Sequence, residues 1–140
     1  MRAITVPLKL INLQDDGFHL LVEIVVFGGK HFVVVDTGAS RSVFDKSFIK
    51  QHVLIEDTEE THATTLFSTT STFQAIIPEL KIGRLRIKDY NAVALDLDAV
   101  NQAYEAIGGS SIVGILGSDI LLQQNAIVNF KKMKLYLYSD

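Results

Sequence analysis

The chain has 140 residues, a net charge of -3, 48% hydrophobic and 21% charged residues, nine Gly and two Pro. That length and composition suit one globular domain over 1–140 and exclude a disordered or fibrous chain. The absence of Cys excludes a disulfide scaffold, a thiolate nucleophile and a sulfur-ligated zinc site, and the scattered charge excludes an electrostatic grip on nucleic acid or an anionic membrane.

In chain order, residues 4–13, 18–27 and 31–35 are apolar and rich in β-branched side chains, which predicts three strands. Asp15-Asp16-Gly17 and Gly28-Gly29 separate them, and both tolerate the positive φ of tight turns. Residues 1–10 hold no long apolar run, so neither a signal peptide nor a membrane span is expected there, and a cytoplasmic location is. A short helix with Asp45 as its cap is expected over 45–51, with Phe48 and Ile49 facing inward. Residues 61–72 are dominated by Thr and Ser, which predicts a projecting β-arm. Short strands are expected at 73–77, 80–82, 85–87 and 92–97, with turns at Gly83-Arg84 and Lys88-Asp89. Residues 98–107 place Val100, Tyr104 and Ile107 on one helical face. A strand at 112–116, a helix at 120–124 and a hairpin over 126–138 complete the chain.

Two segments are hard to explain by folding alone. Val33-Val34-Val35-Asp36-Thr37-Gly38-Ala39-Ser40 puts a carboxylate at the end of an apolar strand, where an unpaired ionised Asp would be costly and its pKa should rise. Alternatively, Asp36 accepts backbone N–H groups in an ordinary turn made by Gly38. The second segment is Ile112-Val113-Gly114-Ile115-Leu116-Gly117-Ser118-Asp119.

Together the two segments resemble the retropepsin-like aspartic proteases, and more closely their cellular and bacterial members than the viral enzymes. Asp36, Thr37, Gly38, Ala39 and Ser40 match the first family motif, while Ile115, Leu116 and Gly117 match the loop that threads past it. The resemblance implies an all-β fold, a closed acid-protease barrel lobe with one or two short helices. It implies that Asp36 is the catalytic carboxylate, that Thr37 ties two loops together, that Gly38 admits close backbone approach, and that Ser40 orients Asp36. An aspartic protease needs two carboxylates sharing a proton, and this chain carries one such motif. A homodimer with an Asp36 pair on its two-fold axis is therefore implied, hydrolysing extended polypeptide at acid to near-neutral pH without metal or cofactor. The β-arm takes the place of the flap. Its tip reads Phe67-Ser68-Thr69-Thr70-Ser71, without the glycines of retroviral flaps, and the hairpin over 126–138 is longer than the single closing strand of the viral enzymes.

Other residues have plainer readings. Asp119 is expected to be a cap or first-turn carboxylate of a helix, outside the dyad. The four His residues, at 19, 31, 52 and 62, fall in no metal-ligand pattern, and Asp57, Glu59 and Glu60 read as a solvated loop. Two other functions fit parts of the pattern: a silent protease-fold module that binds peptide or a protein partner, and a phosphate loop of a sugar-kinase or actin-like ATPase. The second is disfavoured because such folds need longer chains and βαβ units.

Overall fold

The computed structural model describes residues 2–53, 61–64 and 69–139. Its strands are β1 (Arg2–Asn12), β2 (Phe18–Val26), β3 (Gly29–Val35), β4 (Val43–Asp45), β5 (Thr61–Thr64), β6 (Thr69–Ile82), β7 (Leu85–Leu95), β8 (Gly114–Leu116), β9 (Ile127–Asn129) and β10 (Lys134–Ser139). Among the described residues there are three short α-helices, α1 (Lys46–His52), α2 (Asp98–Ala106) and α3 (Ser118–Gln123), within two residues of the three expected helix starts, and one 3-10 turn over Gln14–Asp16. None is long and apolar enough to cross a membrane.

Six strands close a barrel in the order β6-β7-β4-β8-β3-β2. The last step is made by Val25 and Val26 of β2 pairing with Lys81 and Leu80 of β6. Closure removes the unpaired edges that an open sheet would leave. β1 links the barrel to an outer strand pair: its residues 8–12 pair with β2, and its residues 2–7 pair with β10, which in turn carries β9. Pro7, which has no N–H to donate, stands where β1 passes from one partner to the other.

Alternation decides what is inside. In β1, Ile4, Val6 and Leu8 are buried while Ala3, Thr5 and Pro7 are exposed. In β2, Leu20, Val22, Ile24 and Val26 belong to the barrel core, while on the other face Leu21 alone is buried, in an outer cluster with Val34, Leu97, Tyr104 and Ile112. That outer cluster is covered by α2 and the residue after it: Val100 and Ile107 pack against it beside Tyr104, the face predicted from spacing.

Three local expectations change. The β2–β3 turn is Phe27-Gly28, both at positive φ, rather than Gly28-Gly29. A bulky residue is strained there, and Phe27 offsets the strain by stacking on His52 with ring centroids 4.6 Å apart and packing against Phe48 at 5.8 Å. The strands expected at 73–77 and 80–82 are one strand, β6, and those at 85–87 and 92–97 merge into β7. Lys88-Asp89 is not a turn: the register runs from Ile77↔Tyr90 to Glu79↔Lys88, so Asp89, at positive φ, faces Pro78 inside the ladder. Proline has no N–H to donate to the ladder, and at the facing position the positive φ of Asp89 departs from strand geometry.

The expected β-arm pairs β5 with the start of β6, Thr61↔Thr72 through Thr64↔Thr69. Of its tip, Thr69, Thr70 and Ser71 lie in β6, while Phe67 and Ser68 lie outside the described residues, as do Asp57, Glu59 and Glu60. The expected C-terminal hairpin is β9–β10, and β10 is paired with β1 of the same chain.

Candidate active site

The site is built on a strand that passes between the two limbs of a loop. β3 delivers Val33, Val34 and Val35 alongside Gly114, Ile115 and Leu116 of β8, running parallel. The chain turns through residues 36–42 and returns as β4, antiparallel to the other edge of β8 through Val43↔Ile115 and Phe44↔Gly114. Short, β-branched strands and small loop residues make this threading possible. At Gly114 a Cβ would lie 2.5 Å from the Val43 carbonyl oxygen, and at Gly117 it would lie 2.8 Å from the Ala39 and Arg41 carbonyl oxygens. These two glycines let backbone meet backbone where a side chain would force the loop away.

Asp36 stands at the tip of this arrangement. Its N–H donates to the Leu116 carbonyl at 2.9 Å, its carbonyl accepts from the Ala39 N–H at 3.2 Å, and the Ser118 N–H donates to the Ala39 carbonyl at 2.7 Å. Its carboxylate Oδ1 accepts the Gly38 N–H at 2.9 Å. Asp36, Ala39, Leu116 and Gly117 are thus brought together, and Ile115 lies in register with both Val34 and Val43. Asp36, Thr37 and Gly38 are exposed. The burial cost expected from the apolar strand therefore does not arise in the single chain, because the strand ends at Val35 and the loop carries the carboxylate outward.

Ser40 is exposed on this loop. No hydrogen bond joins its hydroxyl, or that of Thr37, to Asp36 among the described residues, and the Ser40 carbonyl instead accepts the Ser118 hydroxyl at 3.4 Å. The buried hydroxyl of this loop belongs to Ser42, 1% exposed, which the sequence reading passed over. Ser42 Oγ donates to Asp119 Oδ1 at 2.7 Å and accepts the Gly117 N–H at 2.8 Å. Asp119 does sit in the first turn of α3, after Gly117, yet its carboxylate also reaches back to the loop and across to Tyr90 of β7, whose hydroxyl donates to Oδ2 at 2.6 Å. Spacing cannot reveal contacts between residues so distant in sequence.

A second acidic group, Asp45, Asp96 and Asp98, has carboxylate oxygens within 4.8 Å of one another. Two of these carboxylates serve backbone: Asp45 Oδ1 accepts the Leu97 N–H and Asp96 Oδ1 the Asp98 N–H, each at 2.9 Å. Asp45 holds the cap position of α1 without bonding to that helix. The charge of Asp96, with smaller contributions from burial and from Asp45, pushes the Asp98 carboxyl above the ordinary carboxylate range.

Comparison with known proteins agrees with this geometry. The profile of the family described as "Aspartyl protease" matches residues 22–120, a span holding Asp36 and residues 114–117. The chain belongs to the aspartyl protease family. Its fold is similar to that of a crystal structure of a retropepsin-like aspartic protease from Rickettsia conorii, with a TM-score of 0.59 at 20% identity over 99% of this chain and 93% of the other. The retroviral protease-like domain of Ddi1 from Leishmania major is also similar, with a TM-score of 0.53 at 14% identity over 81% and 82% of the two chains. A search of curated proteins finds no match. The mostly β fold, with its closed six-stranded barrel and short helices, is the retropepsin-like fold expected from the motifs.

Proposed function

We propose that this aspartyl protease family member is an endopeptidase in which two copies of the chain pair their Asp36 carboxylates around one water. Like charges at that separation cannot both ionise, so the pair shares a proton: one carboxylate takes a proton from the attacking water and the other gives one to the scissile carbonyl. Water oxygen bonds to the carbonyl carbon, and the tetrahedral intermediate then collapses: the carboxyl that took the water proton gives it to the leaving nitrogen as the C–N bond breaks, and a hydroxyl of the intermediate returns its proton to the other carboxylate. The observation that carries the reading is the exposed Asp36 carboxylate, held by the Gly38 N–H at the tip of a loop with the Leu116 and Gly117 backbone behind it.

The other residues take roles around that pair. Thr37 meets its mate across the axis, Gly38 and Ala39 shape the loop, Ser40 lies beside Asp36 at the dimer boundary, and Ile115, Leu116 and Gly117 back the carboxylate. Phe67, Ser68, Thr69, Thr70 and Ser71 form the flap tip that covers an extended polypeptide and excludes water. No metal or cofactor takes part in the reaction.

Digestion of unfolded casein between pH 3 and 8, at several protein concentrations, tests this reading against Asp36→Asn. The expected result is cleavage that rises faster than linearly with protein concentration and vanishes in the variant. Cleavage that survives Asp36→Asn would overturn it, and a folded chain that cleaves nothing at any pH would mark a peptide-binding module.

A further inference from the structure

Behind the Asp36 loop lies a half-buried carboxylate with no part in the chemistry above. Asp119 Oδ1 accepts both donors of Ser42, the N–H at 2.8 Å and the hydroxyl at 2.7 Å, and Oδ2 accepts the Tyr90 hydroxyl at 2.6 Å. The Ser42 hydroxyl in turn accepts the Gly117 N–H at 2.8 Å. Four elements meet in this chain of bonds: the β3–β4 loop, the end of β8, the first turn of α3, and β7. Arg41, the neighbour of Ser42, adds a second tie from the same loop to the same strand, donating from Nη2 to the Asn91 carbonyl at 2.8 Å.

Burying a carboxylate is a poor way to gain stability, since packed apolar side chains would serve as well or better. What a saturated, charge-assisted network supplies is orientation. Its target here is specific. Leu116 accepts the Asp36 N–H, Ser118 donates to Ala39, and Gly117, which joins them, is pinned by Ser42. The network thus fixes the short segment that holds both ends of the Asp36 turn. In a two-fold site any displacement of Asp36 is repeated by its mate, so small errors open the pair twice over.

Resting on the dimeric protease reading, we propose that Ser42, Asp119 and Tyr90 form a positioning brace that holds the Asp36 loop where two copies can share a proton, setting turnover rather than substrate affinity. The ionisation states agree with such a role in acid. Burial pushes the Asp119 carboxyl up, but hydrogen bonds from Tyr90, Ser42 and the Ile120 backbone outweigh it and hold the group below the ordinary carboxylate range. Burial and the bond to Asp119 push Tyr90 up to about 12, against a smaller opposite effect of Ser42 and Arg41, the other charged group facing this network. The brace stays charged on Asp119 and protonated on Tyr90 through mildly acid and neutral pH.

Tyr90→Phe and Ser42→Ala test the proposal through kinetics on unfolded casein and backbone amide exchange. Tyr90→Phe is expected to lower kcat by about tenfold with KM within about twofold, and to move the acid limb of kcat to higher pH as Asp119 loses a bond to its charged form. Ser42→Ala is expected to speed exchange at the Gly117 and Ser118 amides at least about tenfold while Val22, inside the barrel, is unchanged. Unchanged kcat and acid limb in Tyr90→Phe, or unchanged Gly117 and Ser118 exchange in Ser42→Ala, would overturn the brace. So would a fall in kcat matched by uniform loss of protection across the barrel. If the unaltered chain cleaves nothing, the endopeptidase reading fails and the exchange result alone decides whether the brace holds the loop.

Discussion

Gly117 lies so close beneath Ala39 that a Cβ on it would stand 2.8 Å from the Ala39 carbonyl oxygen, with the Arg41 carbonyl equally near. Gly114 is tighter still, at 2.5 Å from the Val43 carbonyl oxygen. Because the obstructing atoms are backbone, they cannot swing aside as a side-chain end could. Gly114→Ala and Gly117→Ala are each expected to cost about 3 kcal/mol or more, at or beyond the upper end of core overpacking. Urea denaturation measures this, and a loss below about 0.5 kcal/mol at both sites would contradict the threading described.

Asp36 makes the opposite prediction for stability. It is exposed, and the Gly38 N–H at 2.9 Å could be accepted equally well by an amide oxygen. Asp36→Asn is expected to leave the stability of the isolated chain within about 0.5 kcal/mol, the usual range for surface changes. Calorimetry at low protein concentration, where a dimer contributes nothing, gives the comparison. A large loss would mean that Asp36 is a structural residue.

Asp45 is 8% exposed and accepts the Leu97 N–H at 2.9 Å. Asp45→Ala strands that donor and is expected to cost about 1–3 kcal/mol. Asp45→Asn keeps an acceptor and relieves repulsion from Asp96 and Asp98, so its cost should be less than half of that. Equal losses in the two variants, by urea denaturation, would show that packing rather than the hydrogen bond matters at this position.

His31 packs edge-on to Phe48, with centroids 4.7 Å apart. Burial, and then the charge of His52, hold its pKa below the ordinary value. The unfolded chain therefore protonates first as pH falls through about 6.5, and the folded chain only later. The His31 contribution to stability is full above about pH 6.5, declines as pH falls below it, and levels off below the folded pKa. Melting temperatures of the chain and of His31→Gln from pH 5 to 8 should show a shallower acid decline in the variant. Parallel curves would remove His31 from the account.

Much of this protein is written locally. Alternation in β1, the apolar runs of β2 and β3, the helical face of Val100, Tyr104 and Ile107, and the pair of motifs around Asp36 and Gly117 are all legible in the sequence, because each depends on residues a few positions apart. The breaks expected between residues 77 and 80 and at Lys88-Asp89 are absent because Pro78 and Asp89 face one another in the ladder, a long-range placement that keeps β6 and β7 continuous.

What the tertiary structure decided is everything that joins distant segments. The closure of β2 on β6, the passage of β8 between β3 and β4, the outward position of Asp36, and the bond of Ser42 to Asp119 appear only when strands pair. Periodicity tells which face of a strand is apolar. Which strand lies beside it is set by the joint packing of the barrel, where one choice of neighbours buries the apolar faces and satisfies the backbone together.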